Sequence, residues 1–383
     1  MKDGWQTSTL GDVLAVLKNG LNCKQDKSGR GDKVSRIESI SDASFDSDRV
    51  GYAELSERDK ERYRLQPGDI LFSHINSVVH VRKTAVFHSS EPVYHGVNLL
   101  LMRPKEVVTW AYLDHALKYL FQSGYWQGVC KQSVNQASVN QHDISRVQIR
   151  YPRLLAEQQR IVGILDEACE GISAAKANTE KNRCNARALF ESHLQSIFSQ
   201  RNEKWMNKQL GDLCDVFDSQ RKPITRRDRV SGDIPYYGAT GIQDYVDGFI
   251  FDEPLVLVGE DGAKWGPGER TAFAVSGQCW VNNHAHVVRP RRNMVLDHWL
   301  IFFLNTSDLN EFVSGLTVPK LTQGNLREIP IPLPSLAVQR QLTGNARELD
   351  SETQRLATVY ERKLAALDEL KKSLLHQAFS GQL

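Results

Sequence analysis

The chain repeats one pattern. Trp5, Leu10, Gly11, Asp12 and Val13 return 200 residues later as Trp205, Leu210, Gly211, Asp212 and Leu213. Each half then ends in a long helical pattern, and the two align without a gap from Gln158/Gln339 to Phe198/Phe379. The offset there is 181, so the second half is shorter by 19 residues in its middle. One frame holding two unlike centres confines the fold to a duplicated scaffold that presents two different surfaces. Solenoid repeats are excluded, because their period is several times shorter.

Inside the frame each half reads as short strands and loops. In the first, the turn signal Gln66, Pro67, Gly68 feeds an apolar run at 70–72; in the second, Pro254 precedes an apolar run at 255–258. The runs 99–104 and 286–290 both close on an Arg-Pro pair, Arg103-Pro104 and Arg289-Pro290. Helical stretches follow at 112–121 and 298–304, and the halves meet again at 139–144 and 321–326. Pro152 in one half, and Pro332 and Pro334 in the other, lead into the long helices, as proline's fixed φ favours. Four segments are expected: a globular domain at 1–152, a helical region at 153–200, a second domain at 201–334 and a second helical region at 335–383.

The helices carry apolar residues at alternating spacings of four and three. Ile161, Leu165, Ile172 and Leu189 mark the seam of the first; Leu342, Leu349, Leu356, Leu367, Leu370 and Leu374 mark that of the second. Such spacing predicts a coiled coil with a left-handed supercoil, interrupted at Asn182, His193 and Lys363. With one such helix per half, antiparallel pairing within the chain is the economical arrangement. About 40 helical residues would form a rod of roughly 60 Å. The expected fold is thus α+β: two mixed globular domains separated by an intramolecular antiparallel coiled coil, related by a pseudo-twofold repeat.

Forty per cent apolar and 25 % charged residues is ordinary globular composition, and no apolar run reaches the roughly 18 residues of a membrane span. No signal peptide is read at the start. Six cysteines without a Cys-x-x-Cys pair predict reduced thiols in a cytoplasmic protein. No phosphate loop or dinucleotide fingerprint occurs; the carboxylate-x-Lys pairs Glu361/Lys363 and Glu369/Lys371 lie on the second long helix as solvated charge. His284 and His286 would need a third ligand that nothing points to. The chain is read as non-catalytic, with no metal of its own. Net charge is only +2, but basic residues cluster at 221–229, at 289–292 and, more loosely, at 24–36, which tilts the reading toward phosphate contacts.

The doubled Leu-Gly-Asp opening, the divergent centres, and the helix starts at 155–161 and 336–342 together resemble the specificity subunit of type I restriction-modification enzymes. So do the helix ends at 194–199 and 375–383. The resemblance covers the whole chain; Val338 departs from it, standing where the first half has Glu157. It implies that each globular domain is a target-recognition domain reading one half of a split double-stranded DNA site. The helices would set the distance between half-sites and dock two methyltransferase subunits, with restriction/translocase subunits joining them. S-adenosylmethionine, ATP and Mg²⁺ would belong to those partners, and no membrane is involved.

Bases are read by Arg, Lys, Asn, Gln, Ser and Thr, and phosphates are held by basic and small polar groups. On that ground the first domain's candidates are Ser73, His74, Asn76, Arg82, Lys83, Lys131, Gln132, Ser133, Asn135 and Gln136. The second domain's are Ser219, Gln220, Arg221, Lys222, Tyr236, Tyr237, Thr240, Lys264, Trp265, Lys320 and Gln323. A two-headed protein-binding adaptor without DNA specificity, its basic clusters serving solubility, is the alternative reading.

Overall fold

The computed structural model describes residues 4–40, 44–76, 83–127, 131–133, 136–199, 205–315 and 317–383, without side chains at 75–76, 127, 131–133 and 136–138. Two compact units emerge. One joins Met1–Asn178 to Arg362–Leu383; the other is Thr179–Glu361. Two helices, Leu155–Ser199 and Leu336–Ser380, each contribute to both units.

The repeated opening is a strand followed by one helical turn. In the first unit Trp5–Thr9 pairs antiparallel with Gln148–Pro152 and passes into Leu10–Val13. Met206–Gln209 pairs with Pro330–Leu333 and passes into Leu210–Leu213 in the second. The leucine of each turn is fully buried, and its amide bonds an equivalent carbonyl: Leu10 to Val147 at 2.8 Å and Leu210 to Ile329 at 2.9 Å. The glycine of each turn allows a close approach. A Cβ on Gly11 would stand 3.2 Å from the Ser145 carbonyl oxygen, and one on Gly211 3.1 Å from Arg327 Cβ, so each turn lies tight against the short helix behind it. Thr9 and Asp12 close a capping box over the first turn.

Each unit is built on a four-stranded antiparallel sheet. Its order in the first is Leu14–Asn19, Leu99–Pro104, Ile70–Ser73, Thr84–Val86, and in the second Cys214–Val216, Ala285–Pro290, Leu255–Gly259, Ala272–Val275. A helix covers one face, Trp110–Gln122 or Asp297–Thr306. An aromatic in its first turn, Tyr112 or Trp299, is completely buried and donates to an equivalent carbonyl of the exit strand: Tyr112 to Arg150 at 2.9 Å, Trp299 to Pro332 at 2.8 Å.

The long helices meet in opposite directions within each unit. In the first, Ile161 and Leu165 from the start of one helix share a core with Leu375, Ala378 and Phe379 from the end of the other. In the second, Leu194, Ile197 and Phe198 share a core with Ala346. Each helix therefore ends on the core of the other half of the chain: Phe379 meets Tyr112 edge-on at 5.3 Å, and Phe198 meets Trp299 at 4.9 Å. Such aromatic pairs contribute about 1 kcal/mol beyond the area they bury.

The seam departs from the expected frame. Leu189 is 63 % exposed and Leu370 47 %. The less exposed stripe instead runs through the half-buried Phe190 and Lys371, and it has already stepped past exposed Asn182 and Lys363 to the half-buried Arg183 and Leu364. From Ile161 to Ile197, and from Leu342 to Ala378, it makes ten steps in 36 residues. That mean of 3.6 is the period of an undistorted helix, so a strict 3.5 frame drifts off the contact face by about 20° per heptad. Both helices shift at the same aligned place, a further mark of the duplication. Among the described residues no helix is long and apolar enough to cross a membrane, and the five described cysteines are free.

Candidate nucleic-acid interface

In both units the chain returns to the sheet at one equivalent point. The carbonyl just beyond the strand Ile70–Ser73, that of His74, accepts the amide of Val139 at 2.9 Å. The carbonyl of Glu260, just beyond Leu255–Gly259, accepts that of Leu321 at 2.8 Å. The next residue, Asn140 or Thr322, caps a short helix through its side chain. The segments chosen from the sequence gather at this tip.

In the first unit, the strands Lys131–Ser133 and Gln136–Ser138 form a hairpin that pairs onto Ile75–Asn76. Asn76, Lys131, Gln132, Ser133 and Gln136 therefore share one small sheet, placed by backbone alone. Arg82 and Asn135 lie outside the described residues. Lys83 is half-buried, its carbonyl accepting the Ser73 amide at 2.9 Å. Two candidates prove to be support instead of surface. Ser73 and His74 are buried because they continue an internal strand, and burial holds the His74 ring below the usual imidazole pKa, hence neutral.

In the second unit, five segments converge: 218–222, 236–240, 260–264, 282–286 and 320–323. Beneath them lies a cluster that the sequence reading missed. His286, fully buried, directs Nδ1 at Asp218 Oδ2 (2.6 Å) and Nε2 at the Leu321 carbonyl (2.7 Å). Glu260, 6 % exposed, accepts from Arg221 on one oxygen and from Lys320 at 2.7 Å on the other. Burial pushes the Asp218 carboxyl up, but bonds from His286 and the Val287 amide, with Arg221 nearby, outweigh it and hold the group below its ordinary range. His284 pairs with Asp261 at the edge of the cluster.

Asp218, Glu260 and His286 lie close enough to share a metal ion. The donor set argues otherwise. Arg221 and Lys320 occupy the Glu260 oxygens and both His286 nitrogens are engaged. A divalent cation would have to displace cations already paired there, so the cluster is read as an ionic support for the loops. The pair His284/His286 and an acid directly after an apolar strand were the available signals; neither says which residues meet.

This cluster corrects further assignments. Arg221 is spent on Asp218 and Glu260, with its side chain 12 % exposed. Tyr236 is buried, its hydroxyl accepting the Ile224 amide at 3.0 Å, and the buried Trp265 donates to the Gly259 carbonyl at 3.1 Å. All three hold loops that their neighbours present. Ser219, Gln220, Lys222, Thr240 and Lys264 are exposed, while Tyr237, Lys320 and Gln323 are half-buried at the same tip. The basic cluster at 289–292 is neutralised on another side: Arg289 pairs with Glu253, Arg291 with Asp215 and Arg292 with Asp297.

One backbone frame is thus used twice, with different residues at the two tips. The chain belongs to the family of type I restriction modification DNA specificity domains, whose model matches residues 2–182 and again 202–355. Its role is DNA sequence specificity in a type I restriction-modification system. A putative type I restriction enzyme MjaX specificity subunit from Methanocaldococcus jannaschii is 27 % identical over 405 residues, which span 100 % of this chain and 94 % of that one. A putative type I restriction enzyme specificity subunit from Haemophilus influenzae, S.HindORF215P, is 38 % identical over 135 residues, 35 % of this chain and 34 % of the other. Among solved structures, a chain described under complex assembly and conformational transition of the type I R-M system superposes with a TM-score of 0.76 at 16 % identity, covering 100 % of this chain and 99 % of that one. The HsdS subunit from Thermoanaerobacter tengcongensis gives 0.59 at 16 % identity, covering 100 % and 98 %. At such identity the structures speak for the fold.

Proposed function

We propose that each tip reads one half of a bipartite double-stranded DNA target. On this reading the long helices hold the two readings at a fixed spacing and dock two methyltransferase subunits, to which restriction/translocase subunits are added. S-adenosylmethionine is carried by the former, ATP and Mg²⁺ by the latter, and this chain performs no chemistry. The complex works in the cytoplasm, where the cysteines remain thiols. One observation carries the reading: equivalent backbone frames, joined at His74/Val139 and Glu260/Leu321, bear unlike polar residues along the chain at the same place. In the second domain Ser219, Gln220, Lys222, Tyr237, Thr240, Lys264, Lys320 and Gln323 make the contacts. In the first, the sheet bearing Asn76, Lys131, Gln132, Ser133 and Gln136 makes them, with Lys83 beside it and Arg82 and Asn135 from the adjoining sequence.

The test is an exchange of residues 20–140 for the corresponding part of another family member, assembled with the methyltransferase subunits and read by methylation mapping. One half-site should change while the other stays. A change in both halves, or in neither, sinks the modular reading. DNA binding that ignores salt would favour the protein-binding adaptor, since phosphate contacts make affinity fall steeply with ionic strength.

A further inference from the structure

Gln158 and Gln339 head the gap-free alignment of the two helices, and both are completely buried. Gln158 sits one turn into the first long helix. Its Oε1 accepts the Thr109 amide at 2.9 Å, and its Nε2 donates to the carbonyls of Val107 at 3.0 Å and Pro152 at 2.9 Å. Gln339 repeats this in the second unit: Oε1 accepts the Leu296 amide at 3.0 Å, and Nε2 donates to Met294 at 3.0 Å and Pro334 at 2.9 Å. Thr109 and Leu296 are the N-caps of the helices that cover the two central sheets. Pro152 and Pro334 lie where the chain leaves each domain for its long helix.

A carboxamide is the side chain suited to this place. It offers one acceptor and two donors in a plane, and all three are used. A glutamate would turn a carboxylate toward two carbonyl oxygens, and an apolar residue would leave a helix-cap amide and two carbonyls without partners. The amide therefore pins three things together: the domain's covering helix, its exit strand, and the helix on which the domain rides.

We propose that Gln158 and Gln339 are positioning residues that fix the angle of each recognition domain on its long helix, and so the separation at which the half-sites are accepted. The inference rests on the bipartite reading above. Neither residue touches DNA; each acts on where a tip is held, leaving which bases it reads to the surface residues.

The experiment uses the full chain assembled with its methyltransferase subunits. The substrate is a set of DNA targets with the native half-sites, their spacers native or one base pair longer or shorter. The wild type should methylate one spacer strongly. Gln158→Met and Gln339→Met, each nearly isosteric, should keep the half-site sequences but lower discrimination between spacers by about tenfold, as expected for loss of a hydrogen-bonded restraint. Gln158→Asn and Gln339→Asn, which keep the amide but withdraw it by one methylene, serve if a Met variant does not fold. Unchanged spacer discrimination in folded, DNA-binding variants overturns the proposal, as does an altered half-site sequence at the native spacer. A wild type that methylates no two-part site removes the bipartite reading, and the inference with it. The wild-type arm thus separates the two failures.

Discussion

His74 and Glu260 occupy the same position in the two halves, one residue past the strand that pairs with the Arg-Pro strand, and each accepts the same main-chain bond. Around His74 the tip rests on a neutral, buried ring. Glu260 instead anchors a network: it pairs with Arg221 and Lys320, and beside it His286 hydrogen-bonds Asp218. The duplication has preserved the backbone and replaced the chemistry beneath each tip. A recognition loop is set by what it stands on, so the two tips should differ in how they fail.

The largest difference should come from removing the anchor. Glu260→Ala leaves Arg221 and Lys320 without the carboxylate they share, and breaking one partner out of a buried ionic set costs about 3–5 kcal/mol. Hydrogen exchange should then accelerate across 217–222, 259–261, 284–287 and 320–321, leaving the first unit protected. His74→Ala removes a neutral side chain and should cost no more than about 2 kcal/mol. Equal losses at the two positions would break the comparison.

Acid should separate the halves next. His95 in the first unit is fully buried; burial, with the charge of Lys18 nearby, pushes its pKa from 6.5 down to about 4. The unfolded chain binds a proton at higher pH than the folded one does. Stability is therefore whole above pH 6.5, falls as the pH drops toward 4, and loses no more from this group below that, about 3 kcal/mol in all. In the second unit Asp218 is held below its ordinary 3.8, so its contribution is complete above that value and is lost only in stronger acid. The half-buried His298 is also lowered by burial and gives that unit a smaller loss in the same range as His95. Unfolding followed from pH 7 to 4 should show the first unit yielding first, and His95→Gln should flatten its slope. A second unit that yields first, or an unchanged slope in the variant, contradicts this assignment.

The frame could be read from the sequence because its signals are local and periodic. Gly11 and Gly211, Arg103-Pro104 and Arg289-Pro290, and the helix starts at Gln158 and Gln339 recur in the same order, at offsets of 200, 186 and 181 residues. Burial of Leu10 and Leu210 follows from the same pattern. The tips were less legible, because side chains there meet through loops whose closure no short-range rule fixes. Arg221 has the composition of a phosphate ligand but spends its charge on Glu260, 39 residues away. Trp265 and Tyr236, polar-tipped aromatics, satisfy those tips inside the fold. Leu189 and Leu370 failed for a different reason: a seam counted at 3.5 loses phase with an ordinary helix after a few turns.

The smallest test returns to what the halves share. Gly163 and Gly344 are aligned on the two long helices, exposed, and a Cβ on either would meet no atom within 4 Å. Glycine inside a helix costs about 0.5–1 kcal/mol relative to alanine, mainly through the backbone freedom it loses on folding. Gly163→Ala and Gly344→Ala should therefore each stabilise the isolated chain by about that amount, measurable as a higher urea midpoint with an unchanged slope. Because the two sites have the same environment in different units, the gains should match even though the tips of those units respond so differently to mutation and acid. Unequal gains would mean that the divergence of the two centres has spread into the helices, and that the frame is less exact a copy than its sequence offset implies.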